Sequence, residues 1–243
     1  MRRPIALTLI VLAACQRAPD VAPQPARLQQ AQANILRPVV VELFTSQGCA
    51  ACPPADEFLE RLAREPGIVA LTRSVTSWDR LGWRDTFGRE QNTALQQRYA
   101  SRHREESYTP QAVVQGRVML VGGREGAVHR AIDEYRAAAA GAAPRLRQEG
   151  RVLILDGVAS RPAEIRLLAL RSHARVPIGR GENSGMSVTY VNIVIDETAI
   201  GTWRGGRLRV PIPAARLRVP GADRYVVIVQ EPDAGQVLTA GFL

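Results

Sequence analysis

Lysine is absent from this 243-residue chain, so all 32 basic residues are arginine, set against 23 acidic ones for a net charge of +9. The arginines are scattered, as at Arg61, Arg98, Arg147, Arg171 and Arg209, and aromatic residues make up only 5% of the chain. A nucleic-acid surface needs basic residues clustered on one face or run together with stacking aromatics. That pattern is missing, so the charge reads as composition and no nucleic-acid partner is expected. Histidine is scarce too. His103 and His129 fall in separate predicted helices, and His173 has no partner pattern. A closed zinc site wants four ligands at short spacings, so neither metal nor cofactor is expected. Gly179-Arg-Gly-Glu-Asn-Ser-Gly185 does not have the G-x-G-x-x-G spacing of a dinucleotide loop and precedes a strand, so it reads as a connection between strands. Three cysteines are too few for a disulfide framework. No internal repeat is present.

The longest apolar stretch near the start, Ile5–Leu12, is too short to span a bilayer. It follows Arg2 and Arg3 and ends in Leu12-Ala-Ala-Cys15, the layout of an export signal. The last four residues resemble the lipobox of bacterial lipoproteins, in which the cysteine becomes the lipidated first residue. The alternative is an ordinary secretory signal cut beside Ala13 or Ala14. Both imply export, and the first implies a lipid-anchored protein facing the periplasm. Residues 1–15 are therefore read as a leader with Cys15 as the lipidation site. Residues 16–35, rich in Pro, Ala and Gln without apolar period, are read as a flexible tether.

With Cys15 assigned to the anchor, Cys49 and Cys52 form the only remaining pair. They follow an apolar run, Pro38-Val-Val-Val-Glu-Leu-Phe44, and a polar loop, Thr45–Gly48; Pro53-Pro54 and an amphipathic stretch come next. A C-x-x-C between strand and helix suits disulfide exchange: the first sulfur attacks from an exposed position and the second resolves the mixed disulfide. A loop this small constrains little unfolded-chain entropy, which favours reactivity over stapling. A purely structural disulfide is the competing reading. The thiolate is the nucleophile, and a following helix N-terminus lowers a thiol pKa. Because proline disfavours helical geometry in the residue before it, Cys52 and Pro53 are expected to be extended, setting Cys49 back from the helix end.

Periodicity gives the rest. Val39–Phe44 reads as a buried strand, Ala55–Arg64 as a helix, Ile68–Val75 as a strand and Glu90–Arg102 as a helix. Ala112–Val114 and Arg117–Val121 flank the Gln115-Gly116 turn as a hairpin, and Arg124–Ala140 reads as a helix. From about Pro144 short β-rich runs recur: Val152–Val158, Glu164–Leu170, Ser187–Ile195, Ala199–Trp203, Arg207–Val210, Tyr225–Gln230 and Gln236–Ala240. These predict an α/β domain over 36–143, with a central mixed sheet flanked by helices, and a small antiparallel β domain over 144–243.

This element order, with C-x-x-C after the first strand and Thr109-Pro110 entering the hairpin, resembles the thioredoxin fold. More closely, the segment Val41–Asp56 is similar to a family of secreted bacterial thioredoxin-like proteins of unknown function. Trp78-Asp79, Leu81-Gly-Trp83, Tyr108-Thr-Pro-Gln111 and Gly181-Glu-Asn-Ser-Gly185 match that family's other recurrent segments. The resemblance runs from about Leu36 to the C-terminus. It implies a cis Pro110 facing the dithiol, with Thr109 orienting an incoming peptide. It also implies an acid on the first strand, for which Glu42 is the candidate proton shuttle. Burial raises a carboxyl pKa toward neutrality; the other reading of Glu42 is a solvated acid. Trp78, Asp79 and Trp83 are candidate walls of a partner-binding site, or alternatively a small core capping the sheet.

The expected function is thiol–disulfide exchange on exported thiol or disulfide proteins, together with a redox partner. Cys49 attacks, Cys52 resolves and Thr109-Pro110 positions the substrate. Two other classes stay open: an exported Cu(I) carrier using the two thiolates, and a non-catalytic binding module.

Overall fold

The computed structural model describes residues 38–138 and 144–243. The expected leader, the lipidation site Cys15 and the tether at 16–35 lie outside the described residues. Strand β1 (Val39–Thr45), helix α1 (Pro53–Leu62), β2 (Ile68–Ser74), α2 (Glu90–His103), β3 (Gln111–Val114), β4 (Val118–Val121) and α3 (Glu125–Ala138) follow one another nearly as periodicity predicts. β1 is buried at every position because helices cover both of its faces. Val39, Val41 and Leu43 pack with Phe58, Leu59 and Leu62 of α1 and Val128 and Ile132 of α3. On the opposite face Phe44 packs with Leu95 and Tyr99 of α2. The β3–β4 hairpin turns at Gln115 and Gly116, both at positive φ. A Cβ on Gly116 would lie 2.3 Å from the Gly235 carbonyl oxygen, so only glycine fits there.

The C-terminal half departs from expectation. Residues 144–243 do not form a separate β domain; residues 36–243 form one compact unit. Strands β5 (Arg145–Glu149), β6 (Val152–Asp156), β7 (Ala163–Pro177), β8 (Ser187–Trp203), β9 (Leu208–Pro211), β10 (Arg224–Gln230) and β11 (Val237–Phe242) divide between two sheets. β7, β8, β10 and β11 extend the first sheet to eight strands in the order β11-β10-β7-β8-β2-β1-β3-β4, and β5-β6-β9 form a small antiparallel sheet. The runs Ser187–Ile195 and Ala199–Trp203 are one strand, β8, carried past the irregularities in its pairing with β7.

The join is narrow in backbone terms and strong in side-chain terms. β2 and β8 share a single parallel register pair, Thr72 with Ile193. Around it, the Thr72 hydroxyl donates to the Val191 carbonyl (2.7 Å) and the Asn192 amide donates to the Ala70 carbonyl (2.9 Å). Asn192 adopts φ 46°, an αL residue that interrupts the run. Val191, just before it, packs into the α1 cluster.

Beside this join the Arg73 guanidinium is buried between two carboxylates, 2.6 Å from Glu42 on β1 and 2.5 Å from Glu197 on β8. Arg166 of β7 pairs with the other oxygen of Glu197 at 2.6 Å. The Tyr99 hydroxyl donates to Glu42 (2.6 Å) and accepts from Gln230 Nε2 (2.7 Å). Burial opposes the Arg73 charge, but Glu197 and Glu42 outweigh it and hold the guanidinium ionised. For Glu197, burial is likewise overcome by Arg73 and Arg166, which keep its pKa low. Removing one member of such a pair strands a charge in low dielectric. Glu42→Gln is therefore expected to lower stability by about 3–5 kcal/mol in urea unfolding.

Candidate functional site

The dithiol is in its oxidised form: Cys49 and Cys52 are joined as a disulfide, with Cα atoms 5.4 Å apart. Two tight turns lead into α1. Cys49 N–H donates to the Ser46 carbonyl, Cys52 N–H to the Cys49 carbonyl, and Ala55 and Asp56 N–H to the Cys52 carbonyl. Cys52 is not extended as pre-proline sterics suggest; it sits at φ −80°, ψ −38°, as the N-cap of a helix whose first two residues are prolines. Proline suits the first turn because it has no N–H to leave unpaired there. The chemical result is that α1 begins with two residues lacking an N–H, and the next two N–H groups are taken by the Cys52 carbonyl. The helix end therefore offers the sulfurs little of the hydrogen bonding that lowers a thiol pKa.

The expected exposure of the first sulfur is not observed: Cys49 is 1% and Cys52 0% exposed. The cover over the Cys49 turn comes from the segment between β7 and β8. The Asn183 amide, itself buried, donates to the Gln47 carbonyl (3.0 Å) and the Cys49 carbonyl (2.9 Å). Ala50 N–H donates to the Glu182 carboxylate at 3.3 Å.

The other sequence-predicted residues divide. Thr109–Pro110 is a cis peptide bond. The antiparallel register Phe44–Gln111 places it at the end of β1 from which the Cys49 turn departs. The Trp78 indole N–H donates to the Thr109 hydroxyl (2.8 Å), and a Cβ on Gly48, beside Cys49, would stand 3.1 Å from Trp78 Cβ. Trp78 thus spans the two motifs. Trp83 turns inward, donating to Gln47 Oε1 (2.9 Å) and packing with the Ile178–Tyr190 cluster. Asp79 accepts from Asp85 N–H (3.0 Å) and fixes its own loop. Both side chains are half-buried and engaged within the molecule.

Glu42 is not at this site. Strand alternation puts it on the α2 face with Phe44, bound to Arg73 and Tyr99, whereas α1 packs on the other face. It is not a solvated acid: it is buried and ion-paired with Arg73.

The buried carboxyl near the dithiol is Asp56, which sequence reasoning passed over as an ordinary acid in a first helical turn. It is 2% exposed, and neither oxygen has a hydrogen-bond partner of normal geometry. Burial is the main cause that raises its pKa well above the usual carboxylate range, with the Asp85 charge adding to it and the Thr45 hydroxyl opposing. Since Cys52 has helical dihedrals, Asp56 at i+4 shares its face, with Cβ atoms roughly 5–6 Å apart. Asp85 lies close by. Burial pushes its pKa to about 6, although Gln47 and Phe87 N–H groups bond its oxygens at 2.8 Å. The Thr45 and Tyr190 hydroxyls are buried beside these two carboxyls. Burial, then the Asp56 and Asp85 charges, push ionisation of the Tyr190 phenol upward. Among the described residues no group of three or more His, Cys, Asp or Glu converges as metal ligands would. His129 instead pairs with Glu65 at 3.0 Å, far along the chain from the dithiol.

A family model described as "Protein of unknown function (DUF1223)" matches residues 40–230. The chain is similar to a protein from Agrobacterium tumefaciens solved by X-ray crystallography, at 27% identity and a TM-score of 0.72, covering 84% of this chain and 93% of that one. It is similar in fold to HBP35 of Porphyromonas gingivalis, at 14% identity and a TM-score of 0.54, covering 86% of this chain and 76% of that one. No curated protein matches it.

The neutral Asp56 carboxyl has a stability consequence with a definite sign. The folded protein keeps a proton that the unfolded chain releases above about pH 4, so rising pH favours unfolding through this group. Asp56→Asn is expected to gain stability over the wild type as pH rises above about 4, read as the difference between their urea midpoints at each pH.

Proposed function

The chain belongs to the DUF1223 family, and from that premise we propose that it is an exported thiol–disulfide exchange protein built on a thioredoxin-like arrangement. The observation that carries the reading is the joined Cys49–Cys52 pair between β1 and α1, linked through Trp78 to a cis Thr109–Pro110. The order β1-α1-β2-α2-β3-β4-α3, with β1 parallel to β2 and antiparallel to β3, supports the thioredoxin-like assignment. The strands from β7 onward are additions to that core.

In the reductive direction, a thiolate from a redox partner attacks Cys49 Sγ. A new S–S bond forms between partner and Cys49, the Cys49–Cys52 bond breaks, and Cys52 leaves as a thiolate. A buried thiolate is costly without a proton, and Asp56, neutral and one helical turn away, donates it. A second partner thiolate then attacks the partner's sulfur in the mixed disulfide. The partner leaves oxidised and Cys49 is left as a thiolate opposite a Cys52 thiol. Exchange with an exported protein disulfide runs the same steps backwards, with the Asp56 carboxylate taking the Cys52 proton.

The burial of both sulfurs favours a second reading, in which the bond is structural and the fold serves as a non-catalytic binding module. One series of measurements separates the two. If exchange is the function, the protein reduces insulin disulfides when supplied with dithiothreitol, and Cys52→Ser accumulates mixed disulfides through Cys49. A blank insulin assay with the Cys49–Cys52 bond intact throughout supports the structural reading. Because the α1 terminus provides little stabilisation to a thiolate, the potential against glutathione is expected nearer about −270 mV than −120 mV.

A further inference from the structure

Two side chains of one segment, residues 178–186, bond the backbone of the dithiol turn, while Asp85 holds the Gln47 N–H from another side. Asn183 supplies an amide to the carbonyls of Gln47 and Cys49, and Glu182 supplies a carboxylate to the N–H of Ala50. Two backbone acceptors and one backbone donor of this turn are thereby paired with side chains instead of with backbone, and a bound polypeptide can compete for the same groups. The segment is closed at its base, with Ile178 N–H donating to the Met186 carbonyl and Gly185 N–H to the Ile178 carbonyl. It is a compact loop on the end of the β7–β8 hairpin rather than a continuation of the sheet. An open cleft of about 330 Å³ continues from the same place, from Pro53 just after the dithiol to Met186 at the loop's end, with Glu57, Arg61 and Arg64 along it.

We propose that the outer edge of the Gln47–Ala50 turn is a docking site for the polypeptide that exchanges with the dithiol, and that loop 178–186 is its resident occupant, displaced when that partner binds. Three physical points support this. Both sulfurs are inaccessible while the loop is seated. The Gln47 and Cys49 carbonyls lose their Asn183 donor once the loop leaves, and a bound partner that excludes water has to supply donors in its place, which a peptide backbone does and a small thiol does not. Glu182 is solvent-exposed and makes one bond to the turn, so that bond is open to competition from water and from a partner, while Ile178 and Asn183 hold the loop from its buried side.

The proposal takes the identity of the partner from the exchange reading, but release of the loop is measurable without it. Reduction of Cys49–Cys52 by dithiothreitol is followed by quenching with an alkylating reagent and intact-mass measurement. Asn183→Ala is expected to speed reduction at least about tenfold, and the surface variant Glu182→Ala about two- to threefold. Urea-jump unfolding rates of the same variants show whether the gain comes from global opening. A second measurement needs no change to the loop. In Cys52→Ser carrying a ten-residue cysteine peptide on Cys49, amide exchange across 178–186 is expected to rise while the Ala50 amide stays protected. With glutathione on Cys49, the Ala50 amide is expected to lose protection.

Equal reduction rates in wild type and both variants would overturn the proposal, as would rate gains matched by faster global unfolding. So would an unchanged loop in the peptide adduct. If the loop opens as described while insulin stays intact in every variant, the docking edge stands and the exchange reading falls.

Discussion

A guanidinium that can neither leave the interior nor lose its charge sets the architecture. Arg73 on β2 is held by Glu42 from β1 and Glu197 from β8, with Arg166 of β7 balancing the second carboxylate. Backbone hydrogen bonding alone gives β2 and β8 a weak join, a single register pair. The ion pairs, together with the Thr72 and Asn192 side-chain bonds, make the N-terminal α/β portion and the C-terminal strands one body. Buried ion pairs are poor sources of net stability but strong arbiters of arrangement. Any other placement of β8 leaves Arg73 short of a carboxylate. That fixed placement lets the β7–β8 hairpin bend at Asn192, lay Val191 against α1 and carry its loop to the Cys49 turn.

The parts of the molecule that were legible in the sequence are those specified locally. The Val39–Phe44 run, the apolar face of Ala55–Arg64 and the Gln115-Gly116 turn each carry their own periodicity or turn chemistry, and each forms within a residue or two of expectation. The cis bond at Pro110 came through resemblance. What was not legible depends on distant partners. Glu42 reads as a lone acid in an apolar strand because its partner Arg73 lies 31 residues on. Alternating runs after Pro144 identify strands but not which edge they join, so a separate β domain and an extension of the first sheet look alike. Asn183 reads as an ordinary loop residue because its two acceptors lie 136 and 134 residues away.

The dithiol's immediate chemistry follows from an unusual economy of donors. In the sequence Cys52-Pro-Pro-Ala-Asp56, the prolines allow a helix to start directly after the second cysteine, while withholding the N–H groups that would stabilise a thiolate. The same short helix brings a carboxyl to the buried side of Cys52, where solvent cannot stabilise its ionised form. In the proposed exchange, electrostatic support for the sulfur anion is replaced by a nearby carboxyl proton. Thr45, Asp85 and Tyr190 extend this enclosed polar region, and together they give the interior beside α1 a character unlike the aliphatic packing on the rest of that face.

Trp78 gives the molecule a built-in optical reporter. Its indole is hydrogen-bonded to Thr109 and its Cβ lies close to Gly48, which precedes Cys49; Trp83 bonds Gln47 in the same turn, whereas Trp203 sits in the packing between the two sheets. Disulfides quench indole emission at short range and thiols do so more weakly, so the ultraviolet glow of Trp78 and Trp83 together is expected to follow the oxidation state of the dithiol without any attached dye.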